Sequence, residues 1–162
     1  MSDKSRLDGK KILIVDDEPD ILETLEELLS MCEIVKASNF DDAKRMMEEQ
    51  HFDMAILDIM GVKGYELLAV AKERKIIPVM MTAHALSPSD TVKSRKEGAA
   101  SYVPKDKMKD ITVFLEDILE AKEKGKDFWW RWFDRFGSYY DRKFGTDWQK
   151  EHKEFWREFP YT

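Results

Sequence analysis

The sequence has a single cysteine, Cys32, so no disulfide can close within the chain, and a reducing cytoplasmic setting is expected. Long hydrophobic runs are missing as well. No stretch approaches the ~20 apolar residues that a membrane-spanning helix needs, and the opening "MSDKSRLDGK" carries no apolar segment that would mark a signal peptide. Positive charge is in deficit: 27 Lys and Arg stand against 33 Asp and Glu, a net charge of −6. This argues against DNA as a partner, because phosphate binding needs clustered cations. Aromatic residues are scarce as far as residue 127, where only Phe40, Phe52, Tyr65, Tyr102 and Phe114 occur, and they crowd the remainder.

What the first two thirds do contain is an alternation of short apolar runs with segments of helical period. Lys11 to Val15 reads as a buried strand. Pro19 then opens a helix with Ile21, Leu22, Leu25, Leu28 and Leu29 on one face. Glu33 to Ala37 is a second strand, and Asp41 to Glu49 a helix with Ala43, Met46 and Met47 inward. Met54 to Ile59 is a third strand and Gly64 to Arg74 a helix. "IIPVMMTA" is a fourth strand; after it Ser87-Pro88-Ser89-Asp90 has the form of an N-cap, a first-turn proline and an acid, and that helix stops at Gly98. "ASYVPK" is a short fifth strand, and Met108, Ile111, Phe114, Leu115, Ile118 and Leu119 form the stripe of a fifth helix. Strands this apolar, alternating with helices, predict an α/β fold: a doubly wound, five-stranded parallel sheet with helices on both faces.

In such open sheets, ligands bind beyond the carboxyl ends of the strands. The residues expected there are Asp16 and Asp17 after the first strand, Asp58 after the third, Thr82 after the fourth and Lys105 after the fifth. Three carboxylates crowded together repel one another unless a cation intervenes. Grouped oxygen ligands suit a hard divalent cation, and Mg2+ binds through a few carboxylates while keeping waters. Each residue alone has a plainer reading. Asp16 and Asp17 could cap the helix at Pro19, Asp58 could be a solvated strand-end acid, Thr82 a β-former and Lys105 a surface charge. The set in this order favours the cation site. Glu18 reads as a first-turn residue favoured by the helix dipole, and Asp53 as a turn residue at the opposite edge.

The motifs "ILIVDDEPDI", "DMAILDI", "PVMMTA" and "EGAASYVPK", in this order, resemble a bacterial response-regulator receiver domain over residues ~9 to 121. The resemblance implies a strand order of 2-1-3-4-5, with Asp58 as phosphoacceptor and Mg2+ as cofactor. By the same resemblance Asp17 would ligate Mg2+ directly, Asp16 through a metal-bound water, and Met60 through its backbone carbonyl. Thr82 and Lys105 would contact phosphoryl oxygens, and Tyr102 would be the switch aromatic, with a fixed, partly buried tyrosine as its plainer reading. His84 could tune water access or be a surface histidine. The implied donor is a sensor histidine kinase or a phosphotransfer protein, and the implied output is an altered protein contact, usually on the fourth and fifth strands and helices. Two features depart from the family. "DIMGVKGYELL" lacks the usual proline and is about two residues shorter, and Asp106 stands where a proline usually follows the lysine.

Residues 122–162 form the second part, after an N-terminal tail of residues 1–8 and the receiver-like 9–121. From Phe128 to Thr162, 14 of 35 residues are aromatic, which is unlike a disordered linker. Trp129, Trp132, Phe133, Phe136 and Tyr140 recur at three and four and predict one helical face, in a helix that can run on from the fifth. Trp148, Phe155 and Phe159 suggest a second face, with Thr146 and Gln149 as a capping box. The interleaved acids oppose a membrane surface or nucleic acid. The segment is expected to pack on its own receiver or on a second copy as a homodimer, or to dock a separate partner. The rival to a phosphorylation switch is a constitutive scaffold that presents these aromatics. A small aspartyl phosphatase is disfavoured because position 60 is Met rather than a second acid.

Overall fold

The computed structural model describes residues 5–83, 88–132 and 134–136. The expected helix over Trp148, Phe155 and Phe159, together with Ser87, Phe133, Tyr140 and His84, lies outside the described residues.

Five strands, β1 (Lys11–Val15), β2 (Glu33–Ala37), β3 (Met54–Asp58), β4 (Ile77–Thr82) and β5 (Ser101–Pro104), form one parallel sheet in the order β2-β1-β3-β4-β5. The helices are α1 (Pro19–Leu28), α2 (Phe40–Glu49), α3 (Gly64–Glu73), α4 (Pro88–Lys96) and α5 (Ile111–Lys124). All five residues of β3, the central strand, are buried, as are four of the five in β1, so the sheet is covered on both faces. That burial explains why these strands read as continuous apolar runs rather than as alternating ones. The helix starts follow ordinary chemistry. Pro19 occupies the first turn of α1, and the Asn39 side chain caps α2 by accepting the Asp42 N–H at 2.8 Å.

Two expectations about the fifth helix need correction. Its stripe was expected to begin at Met108, but Lys105–Asp110 form a 3-10 turn and α5 starts at Ile111. Met108 still packs against the core, but from this turn, which closes where the Ile111 N–H donates to Met108 O. The aromatic segment also does not continue α5. Gly125 takes φ 65, a left-handed cap that glycine adopts without Cβ strain, and Lys126 N–H returns to Ala121 O at 2.8 Å.

Beyond that stop the chain folds back. Trp129, Trp132 and Phe136 join the main hydrophobic cluster and are nearly fully buried. Each ring contributes roughly 1.5–3 kcal/mol by leaving water. Leu7, in the segment read as an N-terminal tail, is likewise in the core, at 1% exposure.

Candidate functional site

The carboxyl ends of β1, β3, β4 and β5 bring the expected residues to one edge of the sheet. Asp16 follows the last residue of β1, and Asp58 ends β3; both are buried, as is Thr82 at the end of β4. The β3–β4 register pairs Asp58 with Met81, one residue before Thr82, and the β4–β5 register pairs Thr82 with Pro104, one residue before Lys105. Backbone hydrogen bonding alone therefore sets these side chains beside one another.

Lys105 supplies the positive charge within the group. Its Nζ lies 2.7 Å from Asp16 Oδ2, 3.1 Å from Glu18 Oε1 and 3.5 Å from Asp58 Oδ1. Burial pushes the Asp16 carboxyl above its ordinary value, because a desolvated carboxylate is costly; the hydrogen bond from Lys105 opposes this in part. Burial by itself would lower the Lys105 ammonium, but hydrogen bonds to Asp16 and Glu18, with the field of Asp58, outweigh it and leave the ammonium raised. The two shifts share one cause. Desolvation makes the site hostile to an unpaired charge of either sign, so the acids and the lysine depend on each other.

Asp17 is exposed, and its carboxylate rests against Gly61. A Cβ built on Gly61 would lie 2.4 Å from Asp17 Oδ1, so only glycine leaves room for the carboxylate in this position. Gly61 N–H in turn donates to Asp58 Oδ2 at 3.2 Å. The short turn after β3 thus touches two of the three aspartates. Gly64 closes it: a Cβ there would lie 2.3 Å from Asp58 O, and Lys63 just before adopts a left-handed φ of 55. Met60 lies in this turn with its side chain 72% exposed.

Glu18 was read only as a first-turn residue, yet the structure brings it into the cluster. Carboxylate oxygens of Asp16, Asp17 and Glu18 lie within 4.8 Å of one another. The signal in the sequence was its adjacency to the aspartates. Its turn toward Lys105 depends on Asp16 Oδ1 accepting the Glu18 N–H at 2.9 Å, which bends the chain back before α1. Asp53, by contrast, accepts the Lys11 N–H at 2.8 Å at the opposite edge and takes no part. Tyr102 is fully buried, and the bond from Lys105 to Asp106 is trans, as are all peptide bonds among the described residues.

A dense set of oxygen donors beside a half-buried ammonium fits a hard divalent cation and a tetrahedral anion better than a soft metal. No helix among the described residues is long and apolar enough to cross a membrane.

Comparison with known proteins agrees with this geometry. Residues 12–116 match the family described as response regulator receiver domain. Among curated relatives, the "Heme response regulator HssR" of Staphylococcus saprophyticus is 32% identical over 113 residues, covering 67% of this chain and 50% of that protein. The "Probable transcriptional regulator ycf27" of Cyanophora paradoxa is 30% identical over 122 residues, covering 72% of this chain and 51% of that protein. The chain spans about half the length of these relatives. Among solved structures, a CheY-like receiver domain protein from Methanospirillum hungatei aligns with a TM-score of 0.64 at 29% identity, over 72% of this chain and 98% of that one.

Proposed function

The chain belongs to the response regulator receiver domain family, and from that premise we propose that it is a phosphoacceptor of a two-component phosphorelay, modified on Asp58. The observation that carries this reading is the ammonium of Lys105, 2.7 Å from Asp16 and 3.5 Å from Asp58. A buried carboxylate beside a fixed cation is a nucleophile in waiting.

In the proposed reaction an oxygen of Asp58 attacks the phosphorus of a phosphohistidine on a sensor histidine kinase or a phosphotransfer protein. An O–P bond forms, the P–N bond breaks, and its electron pair leaves on the imidazole nitrogen. Asp17, Asp16, Asp58 and the Met60 carbonyl would hold Mg2+, with Glu18 beside them. The bound ion supplies charge neutralisation, the principal need of phosphoryl transfer. Lys105 neutralises a second phosphoryl oxygen, and the Thr82 hydroxyl donates to a third. Gly61 N–H, already on Asp58, fixes which carboxylate oxygen faces the donor. The same residues allow water to attack the acyl phosphate, so the chain would catalyse its own dephosphorylation. Tyr102, beneath the aromatic segment, would pass the change to protein contacts, within the cytoplasm.

Intact-protein mass spectrometry after incubation with Mg2+ and acetyl phosphate tests this reading. One phosphoryl group per wild-type chain and none on Asp58→Asn is expected. Full labelling of Asp58→Asn would sink the assignment. Among the described tail aromatics, Trp129, Trp132 and Phe136 are turned into their own core, so the scaffold alternative would have to present the others. A homodimer through the remaining tail is proposed with it, and sedimentation of the full chain against a truncation after Phe136, which keeps the buried Trp129, Trp132 and Phe136, would decide.

A further inference from the structure

Residues 127–132 and 134–136 lie as a strap over the face made by α4, β5 and α5. Arg95 of α4 reaches Asp127 at 3.4 Å, and Asp127 Oδ1 accepts the Trp129 N–H at 2.8 Å. The indole N–H of Trp129 donates to Ala99 O at 2.7 Å, and that of Trp132 to Tyr102 O at 3.0 Å; both bonds are buried. Phe136 stacks on Phe114 of α5 with ring centroids 5.0 Å apart. Arg131 and Arg135 pair with Glu120 and Asp117 on α5.

The helix under one side of the strap buries little aliphatic surface. In α4 the buried residues are Thr91, Val92 and Ser94, so Val92 is its one buried aliphatic side chain. The strap is tied to this helix through the Arg95–Asp127 pair. The other anchor is a direct mechanical link. Trp132 holds the carbonyl of Tyr102, and β5 runs from there through Pro104 into Lys105, three residues on. With the strap seated, the shortest contact of Lys105 is to Asp16, and Asp58 is its longest. A phosphoryl group replaces the single negative charge of the Asp58 carboxylate with close to two and draws Lys105 and Thr82 toward itself. That pull acts on the ends of β4 and β5, directly beneath the strap.

We propose that residues 127–136 are a reversible cover of the α4–β5–α5 face, seated while Asp58 is unmodified and loosened when it carries a phosphoryl group. The inference rests on the phosphoacceptor reading above. By linkage the coupling is reciprocal: whatever loosens the strap strengthens binding at the site by the same factor.

The test uses the full chain with Mg2+ and beryllofluoride, a phosphoryl mimic. Occupancy is followed by fluorine NMR, and the seating of the strap by hydrogen exchange of peptides spanning residues 126–136. Trp132→Phe keeps a ring but removes the indole donor. The expected results are faster exchange of the strap on mimic binding, and mimic affinity in Trp132→Phe at least about fivefold tighter than in wild type. Asp127→Ala, which removes the contact to Arg95, is the second variant and should act in the same direction. Mimic binding with unchanged strap exchange and unchanged affinity in the variants would overturn the cover while leaving the phosphoacceptor reading intact. Slower exchange with weaker binding in the variants would overturn its direction. No mimic binding to wild type would remove the phosphoacceptor reading, and the cover with it.

Discussion

Gly61 lies against the carboxylate of Asp17 so closely that a Cβ would stand 2.4 Å from Oδ1. Asp17 is exposed, so its side chain can rotate away at little cost to the fold. Gly61→Ala should therefore change stability by no more than about 1 kcal/mol, while Mg2+ affinity falls at least about tenfold because a proposed ligand is displaced. Thermal denaturation and a Mg2+ titration by calorimetry measure the two effects separately. Unchanged Mg2+ affinity would remove Asp17 from the ligand set.

Lys105 binds the acids of the site together, so its removal should leave them uncompensated. Lys105→Met is expected to cost ~3 kcal/mol in a divalent-free buffer, and the deficit should narrow in millimolar Mg2+. The sign with pH follows from the raised ammonium. Its contribution is complete below the ordinary lysine value of 10.5 and is lost only as pH climbs through the higher folded value. Urea midpoints of both proteins from pH 7 upward check this; a deficit indifferent to Mg2+ would contradict the shared-charge site.

Asp16 has the opposite consequence. Its carboxyl is raised in the folded state, chiefly by burial, so ionising it opposes folding at neutral pH and ceases to do so below the ordinary value of 3.8. Asp16→Asn should raise stability at pH 7 by on the order of 1 kcal/mol, and the gain should vanish as pH falls below that value. The same variant should lose stabilisation by Mg2+. Parallel denaturant titrations of wild type and variant across pH give the difference directly. A destabilised variant at pH 7 would mean that the Lys105 contact outweighs desolvation.

Cys32 is half-buried, and its Sγ donates to Leu7 O at 3.3 Å. Burial, reinforced by Asp8, Asp53 and Glu116, pushes its thiol up to about 11. At pH 8, alkylation by iodoacetamide should run roughly two-hundredfold slower than for an open cysteine, and continue to accelerate past pH 10. Ordinary reactivity at pH 8 would show that the segment around Leu7 opens readily.

The sheet was legible because each buried strand announces itself as a run of Ile, Val, Leu or Met ended by a polar residue. Ile12–Val15 before Asp16, and Ala55–Leu57 before Asp58, locate both the core and the site in one stroke. Lys105 was legible through "YVPK" for the same reason. The inclusion of Glu18 was not, because it depends on a backbone turn fixed by Asp16 rather than on any spacing. Leu7 sits alone among polar residues, with no period to mark it as core. The three-and-four recurrence of Trp129, Trp132 and Phe136 revealed one apolar face, but not that the face docks on Ala99 and Tyr102, since those contacts use backbone carbonyls. The break at Gly125 was available in the sequence as a glycine after Lys122 and Lys124, a common ending for a helix.

Arg6 meets Glu123 across 117 positions of chain, with Glu116 and Glu120 alongside. Closing so long a loop is entropically slow until the intervening polypeptide has already collapsed. A clasp fastened this late bears on how soon the finished molecule comes apart rather than on how quickly it forms, and as an exposed ion pair its share is small.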